Sequence, residues 1–334
     1  MSNIIVTKGD VERIPAGKPE LLMRVTSFKA TEEIQKQLYD QILFLVRRVG
    51  EGTQCRGCVL LRLVIVSSDF HNEVRYWQRE LKRAEGTTLT PEAETGGKTL
   101  VWGDGRPDFT RGIIIIPDKV AAGLLIKQGS HFQKNTGDNL FVHELTHVHT
   151  GYLLRNAFGE ISPSMNNDWI GIQKEIAISI WEEWFAELIA NRLFPVQFGS
   201  ALSGTISMLR SGLERIDRSR DLYRINEDIV TLWAKAVDEI SLIFNQFGGV
   251  LGLSCAAAQK DNSFLSRLVN EISRISLPWS AILGRLHDEL LAIAQKEDWS
   301  SGKFSELSRL VQEGFFACGL LPIQSERGLK VHLI

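Results

Sequence analysis

Leu140-Phe141-Val142-His143-Glu144-Leu145-Thr146-His147-Val148 is the stretch from which the fold of this chain is read. Leu140, Phe141, Leu145 and Val148 recur at helical spacing, so the segment predicts a mostly apolar helix. On such a helix His143 and His147 lie one turn apart on the same face. Two imidazoles so placed can grip one Zn²⁺, and Glu144 stands beside them, where a carboxylate can act as general base on a water at the metal. Histidine is scarce, 7 in 334 residues. A chance occurrence of this pattern has a probability of roughly 1% if positions are independent draws in a motif search. Asp138 or Thr136 supplies an N-cap, Gly137 and Asp138 mark the entry of a loop, and Gly151 a C-terminal stop, which together predict a short helix.

A hydrolytic metal site takes three protein ligands and leaves its fourth position to water. A third histidine at metzincin spacing is absent, because the tenth residue after His143 is Leu153. His149 is two residues past His147 and faces away on a helix. A carboxylate from a later helix remains. Residues 168–194 read as that helix: Ile170, Ile172, Ile176, Ile180, Trp181, Trp184, Phe185, Leu188 and Ile189 are its apolar positions, Asp168 its N-cap and Pro195 its stop. Glu183, Glu187 and Asn191 are spaced by four and form one polar stripe on it. Burying unpaired carboxylates is costly, so such a stripe is paired, neutralised or metal-bound. Glu182 is read as part of the solvated side.

The segment Glu187-Leu188-Ile189-Ala190-Asn191 resembles the glutamate helix of the gluzincins, and with Arg192 to Pro195 it looks most like the ImmA/IrrE-type metallopeptidases. The resemblance covers residues 138–195. It implies a zincin-like catalytic core, Glu187 as the third metal ligand and Asn191 as the residue bracing a ligating imidazole. Glu183 offers the alternative register one turn earlier, with Glu187 then bracing. Two features depart from the family: Thr146 stands where Gly is common, and the connection between the two helices is long.

A chain of 334 residues exceeds the usual span of one core, so two domains are expected, 1–195 and 196–334. With 44% hydrophobic and 23% charged residues the composition is that of a globular protein. A net charge of −2 gives no electrostatic footprint for nucleic acid, and the short basic clusters at 47–48 and 79–83 read as solvated helix faces. Residues 1–10 show no basic segment followed by an apolar core. No apolar run approaches the length of a bilayer span, and the longest, 247–258, reads as a helix-packing segment. A cytoplasmic protein without a membrane partner is the expectation. Cys55-Arg56-Gly57-Cys58 has metal or redox spacing but no second pair, and is read as a turn with two incidental thiols.

Periodicity predicts a helix over 31–49 capped by Thr31, a buried strand over 59–66, a helix over 70–83, and strands over 99–102 and 112–117. Either of the last two could be a sheet edge that holds an extended substrate. After Pro195 the periodicity is almost wholly helical: 202–216, 222–247, 264–275, 281–294 and 304–315, with turns at Gly248-Gly249, Leu277-Pro278, 300–302 and Gly319. The tail from Gln324 reads as an extended strand. The fold class is therefore α+β, mostly α: a small mixed or antiparallel sheet before the metal helix, then an all-helical C-terminal domain.

The expected activity is that of a zinc-dependent endopeptidase, one Zn²⁺ per chain, acting on a protein or peptide substrate. His149, Tyr152 and Arg155 lie just past the motif and are the nearby candidates for an oxyanion donor, with surface residues the plainer reading. The ImmA/IrrE resemblance implies a regulated enzyme of stress or defence, with a regulatory protein partner. The alternatives are a catalytically silent zincin-like sensor or interaction protein, and a helical scaffold without metal.

Overall fold

The computed structural model describes residues 8–12, 21–26, 30–53, 55–81, 97–102, 111–126, 131–158, 168–196, 199–257, 263–295, 302–325 and 328–334. The chain forms two compact units, Met1–Pro163 with Ile189–Val196, and Ser164–Leu188 with Gln197–Ile334. This differs from a cut at 195/196 in that residues 164–188 belong with the C-terminal unit.

The first unit is built on a four-stranded sheet in the order β1-β2-β4-β3, with β1 Leu22–Val25, β2 Leu61–Ser67, β3 Lys98–Trp102 and β4 Arg111–Pro117. β2 and β4 are buried along their whole length and pair in parallel, Val64 opposite Ile114. Continuous apolar runs such as Ile113 to Ile116 suit central parallel strands covered on both faces. β3 runs antiparallel to β4, Thr99 opposite Ile114, and is an edge of the sheet among the described residues. The sheet is thus mixed. Of the two strands proposed as a substrate-binding edge, the one at Thr99–Trp102 is an edge, while Gly112–Ile116 is core.

Leu63, Ile65, Ile113 and Ile115 point to one face and pack on Phe70, Val74 and Trp77 of α3 (Phe70–Glu80), with Val11 of α1 (Lys8–Glu12) beside them. The opposite face takes α4 (Asp118–Leu125) and the motif helix α5 (His131–Phe158), and α2 (Glu32–Gly52) packs on these two helices. Thr31 caps α2 as expected, its side chain accepting from the Ile34 amide at 3.4 Å.

α5 is 28 residues long, not short. Thr136, Gly137 and Asp138 are interior to it, and it continues past Gly151. The local cap and stop signals yield to packing. A Cβ on Gly137 would lie 2.3 Å from the Gly123 carbonyl carbon, and one on Gly151 2.9 Å from Val101. These glycines let α5 approach α4 and β3 closely. The Asp138 carboxylate accepts from Gln41 at 2.9 Å instead of capping, and burial raises its pKa despite that bond.

α6 (Trp169–Leu193) starts where the sequence indicates, Asp168 accepting from the Gly171 amide at 2.7 Å. In the second unit, α7 (Gly199–Asn226), α8 (Ile229–Ala257), α9 (Phe264–Ser273), α10 (Leu277–Gln295) and α11 (Ser305–Ala317) precede a hairpin of β5 (Leu320–Ser325) and β6 (Gly328–Leu333). The helical half is therefore not all helical, and its tail is two strands rather than one. The α7–α8 break falls at Glu227, with φ of 56°, so residues 222–226 close α7 rather than open α8. Leu277-Pro278 begins α10 rather than a turn, because proline is tolerated in a first helical turn. Trp233 and Trp279 pack in aromatic clusters, with Phe315 and with Phe244 and Phe247; Trp299 lies outside the described residues.

Gly248-Gly249 is no turn either. A Cβ on Gly248 would sit 2.5 Å from the Ile180 carbonyl oxygen, and one on Gly252 2.2 Å from that of Trp184. Two glycines one turn apart on α8 thus meet two backbone carbonyls one turn apart on α6. Glycine stands at both positions because nothing larger fits. α8 is also long and apolar enough to cross a membrane by length and composition, contrary to the sequence expectation, and 61% of its apolar window is buried inside the protein.

Gly252→Ala should force α6 from α8 and cost about 1–3 kcal/mol, as overpacking does. Gly249→Ala meets its nearest atom only at 3.5 Å. It should be neutral or stabilise by up to about 1 kcal/mol through helix propensity. Urea denaturation of the two variants gives the comparison; equal effects would contradict this packing.

Candidate metal centre

The motif helix is anchored by the residues around its two histidines. Phe141, Val142, Leu145 and Val148 are buried, which leaves the face bearing His143 and His147 partly open. Thr146 fits in the helix without loss because its hydroxyl donates to the Val142 carbonyl at 2.8 Å. Gly112 of β4 admits Val148, whose Cγ1 would be 2.7 Å from a Cβ there.

His143 and His147 turn their Nε2 atoms toward each other at 3.1 Å, with ring planes 74° apart. Two imidazole nitrogens bound at about 2.0–2.1 Å in a tetrahedral site stand about 3.3 Å apart. The observed separation is compatible with a shared ion. Among the described residues, Glu183 completes a group that could hold a metal ion: one donor atom each from His143, His147 and Glu183, all within 4.8 Å of one another. Two imidazole nitrogens and one carboxylate oxygen are donors that zinc accepts.

The structure therefore groups the histidines with Glu183, the alternative register, and Glu187 is not a member. The stem of Glu187 lies against α8, its Cβ 3.0 Å from where a Cβ on Gly252 would be. Asn191, one turn further, is buried. Glu182 is partly buried rather than wholly solvated.

Glu144 is buried, and its side chain is fixed by β3. The Thr99 hydroxyl lies 2.7 Å from Glu144 Oε2 and 2.7 Å from the backbone carbonyl oxygen of Glu144. Gly97 makes room, since a Cβ there would be 2.6 Å from Glu144 Cγ. Neither residue stands out in the sequence. Only the strand register, which sets Thr99 opposite Ile114 on the face toward α5, brings them to the site.

The three oxyanion candidates are placed differently. His149 accepts from the Gly57 amide through Nδ1 at 3.1 Å, and burial pushes its pKa down to about 4, which keeps it a neutral acceptor near pH 7. Arg155 donates to the Val101 carbonyl at 3.0 Å and is buried. Tyr152 is partly buried, its Cβ 3.0 Å from where a Cβ on Gly57 would stand. All three help seat α5 on its neighbours. Cys55 and Cys58 are free and buried at a 3₁₀ turn (Arg56–Leu60) that docks on the same helix, Cys58 Sγ lying 3.6 Å from the Leu145 carbonyl. Burial pushes the Cys58 thiol well up, while a hydrogen bond from Cys58 lowers that of Cys55.

Removing a ligand should cost more than the ~10–100-fold that loss of an outer partner costs. Glu183→Ala is expected to weaken divalent metal binding beyond about 100-fold, and Glu187→Ala by less, in competition titrations against a chromophoric chelator. The reverse order would return the third ligand to Glu187.

Comparison with known proteins gives no match: no family model, no curated sequence and no solved structure is significantly similar to this chain.

Proposed function

We propose that this protein is a zinc-dependent endopeptidase. The observation that carries the reading is that His143 and His147 of α5, the helix that also holds Glu144, and Glu183 of α6 each bring a donor atom within 4.8 Å of the others. A structural zinc site usually fills all four positions with Cys or His, whereas three ligands of this kind leave one open. His143, His147 and Glu183 would hold the ion. Zinc, when bound, supplies a Lewis acid that polarises the scissile carbonyl and brings the pKa of water to about 7.

The remaining work falls to the chain's own residues. Glu144 takes the proton of the attacking water through a carboxylate oxygen and passes it to the nitrogen of the leaving amine. The edge strand β3 offers its backbone to an extended peptide, which gives affinity with little sequence preference.

Glu144→Gln should retain about one zinc per chain and lose turnover of unfolded casein by at least about 100-fold, the scale of lost general-base catalysis. A variant that binds zinc and cleaves at the native rate would sink this mechanism.

A further inference from the structure

We infer that Thr99 is the positioning residue for the general base, and that residues 97–99 form a seat for the Glu144 carboxyl group. The inference rests on the peptidase reading and adds a residue to it. A general base must be held in reach of the proton it takes, and glutamate has three freely rotating bonds with which to miss. Here one hydroxyl lies 2.7 Å from both Oε2 and the carbonyl oxygen of the same glutamate. Helix backbone and carboxylate are thereby tied to one point on β3. Among the described residues Oε1 has no such partner, and it is the oxygen left for the reacting water. Gly97 completes the seat: a Cβ there would lie 2.6 Å from Glu144 Cγ and 3.1 Å from Cδ. Threonine suits the task because its β-branch fixes χ1 and so aims the hydroxyl. The strand itself is fixed by antiparallel pairing with β4, Lys98 opposite Ile115 and Thr99 opposite Ile114. Sites carried on regular elements hold their geometry better than those on loops.

A merely structural role would need only the bond to the backbone carbonyl, which joins β3 to α5. The positioning role needs the bond to Oε2, and the two separate by experiment. Thr99→Val removes the hydroxyl at nearly constant shape, Thr99→Ser keeps it, and Gly97→Ala crowds the seat while leaving the hydroxyl in place. The full chain is loaded with zinc for casein cleavage. It is loaded with cobalt(II) for titration with acetohydroxamate, followed by the visible spectrum; this ligand gives a proton to the base as it binds and needs no turnover.

Thr99→Val is expected to keep one metal per chain and a KM within about twofold, while kcat falls at least about 10-fold, a part of the roughly 10²–10⁴-fold that general-base catalysis contributes. Hydroxamate affinity should fall in parallel, Thr99→Ser should restore both, and Gly97→Ala should reproduce the loss. In a Glu144→Gln background Thr99→Val should weaken hydroxamate no further, because coupled groups are not additive. Native kcat and hydroxamate affinity in Thr99→Val, or an equal further loss in the Glu144→Gln background, would overturn the inference. If the wild-type chain cleaves nothing, the peptidase reading fails on its own, and the hydroxamate series still decides for or against Thr99. Should Thr99→Val not fold, Gly97→Ala decides by the same titration.

Discussion

Everything at this site depends on how closely the motif helix can approach the sheet. α5 carries two half-buried imidazoles and a buried carboxylate, and each must face a chosen direction. Backbone notches permit the approach: Gly97 against Glu144, Gly112 against Val148 and Gly151 against Val101. Hydrogen bonds fix its register, from Thr99 to Glu144, from Arg155 to Val101 and from the Gly57 amide to His149. A packed interior has few voids and does not deform gradually, so one added methyl at these contacts is felt at the carboxylate.

α6 meets α8 by the same device. Gly248 and Gly252 lie against the carbonyls of Ile180 and Trp184, and Glu187 lies with its stem on that glycine surface. Glu187 lies along this crossing, while Glu183 stands with the two histidines. Residues four apart share a face only approximately, since 3.6 residues complete a turn. A stripe of three polar residues therefore need not serve one purpose.

Much of this architecture was legible in the sequence, for physical reasons that can be named. The motif, the strands at 99–102 and 112–117 and the helix entered at Asp168 are local signals: periodicity, β-branched runs and a capping side chain. Several misreadings share one cause. Gly137, Gly151 and Gly248 look like punctuation, because glycine is favoured at helix ends, yet here glycine is small for the sake of a close neighbour, a backbone at Gly137 and Gly248 and the Val101 side chain at Gly151. That neighbour is far away in sequence. Thr99 escaped notice likewise, since a threonine in a strand is ordinary until the pairing with β4 sets it beside Glu144. β1 and α4 are short, and periodicity is weak evidence over four to eight residues.

The central claim is that two imidazoles and a carboxylate of this chain hold one zinc ion and leave it open to a further ligand. X-ray absorption at the zinc edge, on full-length protein loaded with one equivalent, tests this most directly. The account predicts a first shell of nitrogen and oxygen only, at about 2.0–2.1 Å, with the outer scattering of two imidazole rings. A sulfur shell at about 2.3 Å, as Cys55 and Cys58 would give, or a shell with fewer than two imidazoles, would contradict it.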